Sequence, residues 1–169
     1  MKISPEKLDE LIKIVHLAGI EIIKIYKKKV TKKYKSDNTP VTNADIRAND
    51  IICKGLKLHF PEISIVSEEQ VKKGKAAKKF WLVDPLDGTK EFLKGNGEFT
   101  VNIGLIENKK PVFGIIYMPT KNKLYFTKDK KSYFSKLSKK GQLSNIRKIK
   151  VKKRNKNIVI LSRSHSLAK

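Results

Sequence analysis

The amino-acid sequence predicts an α+β layered domain, with two amino-terminal helices packed on a mainly antiparallel sheet. Two observations carry this. Up to Pro61 the apolar residues recur at three- and four-residue spacing, the rhythm of helices with one buried face. Beyond Pro61 they come in short runs separated by glycine, proline and asparagine, the rhythm of strands and turns. A βαβ protein would alternate the two rhythms, and no internal repeat is present.

The first helix is expected from Pro5 to Lys29, burying Leu8, Leu11, Ile12, Val15, Ala18, Ile22, Ile23 and Tyr26. Ser4 is its natural N-cap and Pro5 its first residue. Ser36-Asp37-Asn38-Thr39-Pro40 is a turn-rich loop. The second helix should run from Asn43 to about Leu58, capped by Thr42 or Asn43, with Ile46, Ile51, Ile52 and Leu56 on one face. Strands follow at Ile63–Val66, Phe80–Val83, Thr100–Ile106, Val112–Tyr117 and Lys123–Phe126, and the third and fourth read as a hairpin closed by Glu107 to Pro111. The stretch from Lys128 to Asn157 is polar and lysine-rich, and Ile158–Leu161 reads as one more buried strand.

A chain of 169 residues, 39% of them hydrophobic, fits one domain with a real core, so residues 1–169 are taken as a single unit. No run reaches the ~18–20 apolar residues of a membrane helix, and the amino terminus has no signal-peptide pattern, so a cytoplasmic protein is expected. Cys53, the only cysteine, reads as a small core residue and not as a zinc ligand. The net charge of +23 suggests phosphate-rich partners, but the basic residues are nearly all lysine, with arginine only at Arg47, Arg147, Arg154 and Arg163. The runs Lys27-Lys28-Lys29, Lys72-Lys73 and Lys152-Lys153-Arg154 lack interleaved aromatics, so they read as solvated surface and not as a specific nucleic-acid face. Such a surface still allows peripheral contact with an anionic membrane, and a basic binding module stands as the non-enzymatic alternative.

The carboxylates are more telling. The chain has only 16 Asp and Glu residues, yet Glu62, Glu68, Glu69, Asp84, Asp87, Glu91 and Glu98 crowd one interval. Converging carboxylates repel unless a cation lies between them, and magnesium takes oxygen ligands while keeping several waters. In Trp81-Leu82-Val83-Asp84-Pro85-Leu86-Asp87-Gly88-Thr89 an apolar strand delivers Asp84, Pro85 turns the chain, and Asp87 returns toward the same point. Gly88 permits an unusual backbone angle before a helix begins near Thr89, whose amides could cradle a phosphate. A plain surface turn with Asp87 capping the helix is the alternative reading. His16, His59 and His165 lack ligand spacing and are taken as structural or exposed, Glu69 should point away from the cluster, and Gly95-Asn96-Gly97 reads as a flexible turn.

Pro40-Val41-Thr42-Asn43-Ala44-Asp45, Ser67-Glu68-Glu69 and Asp84-Pro85-Leu86-Asp87-Gly88-Thr89 together resemble the three-part signature of the inositol monophosphatase superfamily. Lys90-Glu91-Phe92, Glu98-Phe99-Thr100-Val101-Asn102-Ile103 and Ser162-Arg163-Ser164-His165 resemble its CysQ branch of 3'(2'),5'-bisphosphate nucleotidases. The resemblance implies the sugar-phosphatase fold and hydrolysis of 3'-phosphoadenosine 5'-phosphate to AMP and phosphate, with inositol monophosphatase activity as the alternative. It implies Mg2+ held by Glu68, Asp84, Asp87 and the Leu86 carbonyl. Asp45 and Thr89 would orient and deprotonate water, and Glu68 with Leu86, Asp87, Gly88 and Thr89 would meet the substrate phosphate. Members of the family are longer, with a further metal-binding Asp in a Trp-Asp motif that has no counterpart here. The chain is therefore expected to be an amino-terminal portion that exposes apolar surface, is either marginally stable or self-associating, and turns over slowly or not at all.

Overall fold

The computed structural model describes residues 3–28, 32–34, 40–70 and 77–151. Helix α1 spans Pro5–Tyr26, with the Ser4 hydroxyl accepting from the Lys7 amide at 3.3 Å and Pro5 at its first position. Its inward face carries Leu8, Leu11, Ile12, Val15, Ala18 and Ile22, as the spacing predicts, while Ile23 and Tyr26 are half-buried. A Cβ on Gly19 would stand 2.4 Å from the Tyr117 ring, so glycine there lets the helix lie close on the sheet.

Helix α2 spans Asn43–His59 and is capped by Thr42, in a capping box completed by Asp45. Its buried face is Ala44, Asp45, Ala48, Asn49, Ile52, Cys53 and Leu56. This corrects the expectation for Ile46, which is 42% exposed. Two polar residues, Asp45 and Asn49, occupy the inward positions that an apolar count assigns elsewhere.

Strands β1 (Lys32–Tyr34) and β2 (Pro40–Thr42) pair in a small antiparallel sheet. The main sheet comprises β3 (Ser64–Ser67), β4 (Lys79–Asp87), β5 (Thr100–Glu107), β6 (Lys110–Met118), β7 (Lys123–Lys128), β8 (Lys131–Leu137) and β9 (Leu143–Ile149) in sequential order. Only the β3–β4 pair is parallel. The β5–β6 hairpin turns at Asn108-Lys109 and β7–β8 at Asp129-Lys130, each pair having both φ angles positive, as two-residue hairpin turns matched to strand twist require. β8 and β9 correct the reading of residues 128–157 as merely polar: Leu137 joins the core and Phe134 is buried on the opposite face between Tyr125 and Arg147, while β9 is mostly exposed, so its alternation carries little apolar signal. The loop at residues 36–39, the expected strand at 158–161, the Ser162-to-His165 segment and the basic runs at 72–73 and 152–154 lie outside the described residues.

The two helices cover one face of the sheet. Trp81, Val83, Val101, Ile103, Ile115 and Leu124 pack beneath them. The other face carries Val66, Leu82, Ile116 and Tyr125, each 36–48% exposed. No described helix is long and apolar enough to cross a membrane.

Candidate metal centre

Strand β4 sorts its residues by face. Trp81 and Val83 enter the core, and Leu82 and Asp84 take the opposite side. The sequence suggested that the strand ends at Val83. Instead it continues to Asp87 through a bulge between Asp84 and Asp87, where Pro85 has no N–H to give the ladder. The bulge brings Asp84 and Asp87 to one end of the sheet. Pairing Ser67 with Val83 in parallel, and the Glu68 amide with the Val83 carbonyl at 3.0 Å, sets Glu68 beside them.

The electrostatics follow from this convergence. Burial, then the charges of Glu68 and Asp87, push the Asp84 carboxyl up to about 7, and a hydrogen bond shared with Glu68 adds to the rise. Asp84 Oδ1 is buried with no hydrogen-bond partner. An orphaned carboxylate oxygen beside two further carboxylates is a donor set for a hard oxygen-seeking cation. Among the described residues no group of three or more His, Cys, Asp or Glu side chains is set closely enough to hold a metal ion by itself. A cation at Asp84 would therefore be held by few protein oxygens and keep several of its waters, as magnesium does.

Asp87 is steadied from β5. Asn102 Nδ2 donates to Asp87 Oδ2 at 3.1 Å, and Thr100 donates to Asn102 Oδ1 at 3.0 Å. Sequence reasoning did not single out Asn102. Its signal was a polar residue opposite Asp84 in an otherwise apolar strand.

Gly88 follows with φ of 93°, and a Cβ there would lie 2.8 Å from the Glu98 carbonyl, so any other residue is strained and crowded. It leads into helix α3 (Thr89–Lys94), whose cap has no side chain to occupy the first amides. A recess of about 380 Å³ adjoins, lined by Asp87, Gly88, Glu91, Glu98, Thr100 and Lys121. The larger groove of about 1070 Å³, between the start of α1 and the turns of β5–β8, holds Leu8 and Phe113 and has no such convergence of carboxylates.

Asp45 and Thr89, 44 residues apart, meet here: the Thr89 hydroxyl lies 3.1 Å from Asp45 Oδ1 and 3.2 Å from the Leu86 carbonyl. Asp45 Oδ2 also accepts from the Thr42 amide at 2.8 Å and the Thr42 hydroxyl at 2.5 Å. Burial raises the Asp45 carboxyl above its ordinary range despite these donors. It is a stronger base than a surface aspartate.

The histidines stand apart. His16 is buried between Tyr117 and the Lys139 carbonyl, and His59 pairs with Glu10 at 3.3 Å. His165 lies outside the described residues.

The inositol monophosphatase family profile matches residues 5–168. The 3'(2'),5'-bisphosphate nucleotidase CysQ of Buchnera aphidicola is 43% identical over 163 residues, 94% of this chain and 60% of the relative. The solved CysQ of Bacteroides thetaiotaomicron is 38% identical with a TM-score of 0.59, covering 75% of this chain and 48% of that one. The extragenic suppressor protein SuhB of Bartonella henselae is 28% identical with a TM-score of 0.68, over 75% and 51% of the two chains. The chain spans about 60% of the length of the curated relative it matches. By sequence and by fold it belongs to the inositol monophosphatase family.

Proposed function

We propose that this chain carries the metal centre of a magnesium-dependent phosphomonoesterase acting on a nucleoside 3',5'-bisphosphate, the class of substrate in the name of its CysQ relatives. The observation that carries the reading is the buried, partnerless Asp84 oxygen set among Glu68 and Asp87. Those three carboxylates and the Leu86 carbonyl would hold the ion. A bound divalent cation supplies acidification of water and neutralisation of phosphate charge.

The chain's own residues do the rest. The Thr89 hydroxyl donates its proton to Asp45 Oδ1, which leaves the Thr89 oxygen lone pairs to accept from an attacking water. Asp45, pushed up by burial, receives the proton through Thr89. Gly88 lets the backbone turn so that the Leu86–Thr89 segment faces a phosphate without a side chain in the way. Asn102 keeps one Asp87 oxygen engaged, which would leave the other for the ion.

Phosphate release measured on 3'-phosphoadenosine 5'-phosphate and on inositol 1-phosphate, with and without magnesium, tests the reading. The nucleotide should be preferred and chelation should abolish release. A preference for the inositol phosphate would sink the nucleotide assignment, and release that ignores chelation would sink the metal.

A further inference from the structure

Helix α2 reaches the centre at two points one turn apart. Asp45 takes the Thr89 hydroxyl, two residues beyond Asp87. Asn49, on the same helix face, is 3% exposed, and its Oδ1 accepts the Ser67 hydroxyl proton at 2.6 Å. Ser67 is equally buried and immediately precedes Glu68. It closes β3, a four-residue strand at the edge of the sheet whose strand neighbour is β4 alone. An edge strand so short is held weakly by its ladder, so a buried side-chain bond at its last residue matters to where the next residue points. The corner itself is tight: the Gln70 amide bonds the Ser67 carbonyl at 3.1 Å and the Glu68 amide bonds Val83. Asn49 also accepts from the Cys53 thiol at 3.3 Å, a contact one turn further from the carboxylates.

We infer that Asn49 is a positioning residue of the metal centre: by anchoring the Ser67 hydroxyl it fixes the corner that presents Glu68 to Asp84 and Asp87. The inference rests on the metal reading above. Helix α2 then sets the spacing between the two carboxylate-bearing segments, Asp45 tying the one and Asn49 the other. The amide suits the task, because its oxygen accepts from the hydroxyl without adding a negative charge that would compete for the ion. Removing a residue that orients a metal ligand typically weakens metal affinity by ~10–100-fold.

The test uses terbium, a hard oxygen-seeking probe ion, with luminescence sensitised by Trp81, the chain's only tryptophan, about 10 Å from Asp84 by strand rise. Asn49→Ala and Ser67→Ala should each weaken terbium binding by ~10–100-fold, and the double variant should be no worse than the weaker single, since both break one link. Ser67→Thr, which keeps the hydroxyl, should restore affinity. Cys53→Ala, which removes the other donor to Asn49, should leave it unchanged. Emission lifetimes in light and heavy water should report about one more coordinated water on the ion in Asn49→Ala, as Glu68 drifts off. Should Asn49→Ala fail to fold, Ser67→Ala against Ser67→Thr decides the matter. If Asp87→Asn abolishes binding while Asn49→Ala and Ser67→Ala bind and hydrate the ion as wild type does, the inference is wrong and the metal centre stands. If wild type binds no terbium, the metal reading fails and takes the inference with it.

Discussion

The two sides of strand β4 have opposite duties, although their residues alternate along one short segment. Trp81 and Val83 are wholly buried against Phe60 and the helix layer. Leu82 and Asp84 turn to the other side, where Leu82 is 48% exposed and Asp84 sits among like charges at a cost to the fold. One side therefore stabilises the domain, and the other spends stability to bring like charges together at one end of the sheet. The period-2 geometry of the strand makes this division possible: substitutions one residue apart should fail in different ways.

The largest effect should come from the helix side. Trp81→Ala removes a fully buried ring packed edge-to-face with Phe60 and Phe113, and should cost about 3–5 kcal/mol in urea denaturation. Leu82→Ala, one position along, should cost under ~1 kcal/mol because half of its surface is already in water. Equal losses at the two positions would break the comparison.

Next in size is Asp45→Asn, which should lower phosphate release ~10²–10⁴-fold while magnesium binding persists, because Asp45 touches Thr89 and not the carboxylate cluster. Loss of magnesium in parallel with loss of rate would make Asp45 part of the cluster and remove its role as base.

A smaller effect concerns pH in the metal-free protein. Asp84 has a folded value of about 7 against an ordinary value of 3.8, so the folded state binds the proton more tightly than the unfolded chain. Its contribution is fully present below pH ~4 and is lost as pH rises through about 7. With chelator present, stability should fall between pH 5 and pH 8 by on the order of 1 kcal/mol, allowing for solvent screening of a partly exposed group. Asp84→Asn should flatten that slope, and a slope that survives the substitution would assign it elsewhere.

The layers and most residues of the candidate site were legible in the sequence for different reasons. α1 was legible because its apolar spacing and its Ser4-Pro5 cap agree, and the β5–β6 hairpin because both strands alternate around a turn. Asp45, Glu68, Asp84, Asp87 and Thr89 were marked by their motifs, and the fold brings Asp45 to Thr89 and Asp84 to Glu68 and Asp87. Three things were not legible. Ile46 was assigned to the core because counting apolar residues cannot foresee that Asp45 and Asn49 claim the inward face of α2. The strands β8 and β9 were hidden because an exposed edge has little apolar alternation. Asn49 and Asn102 bond partners 18 and 15 residues away in sequence, Ser67 and Asp87, and such pairings exist only once the sheet is assembled and helix α2 is packed on it.

The central claim is that Glu68, Asp84 and Asp87 together hold a divalent cation. Calorimetric titration of magnesium into the protein and into Asp87→Asn, at pH 6 and at pH 8.5 in buffers of different ionisation heat, tests it most directly. At pH 6 Asp84, its carboxyl pushed up to about 7, is mostly protonated and cation binding must expel that proton; at pH 8.5 Asp84 is already ionised. The account predicts saturable binding to wild type with up to one proton released per ion at pH 6 and almost none at pH 8.5, and a loss of affinity of at least ~10²-fold in Asp87→Asn. Wild type that binds no magnesium, or Asp87→Asn that binds it equally well, would contradict the account.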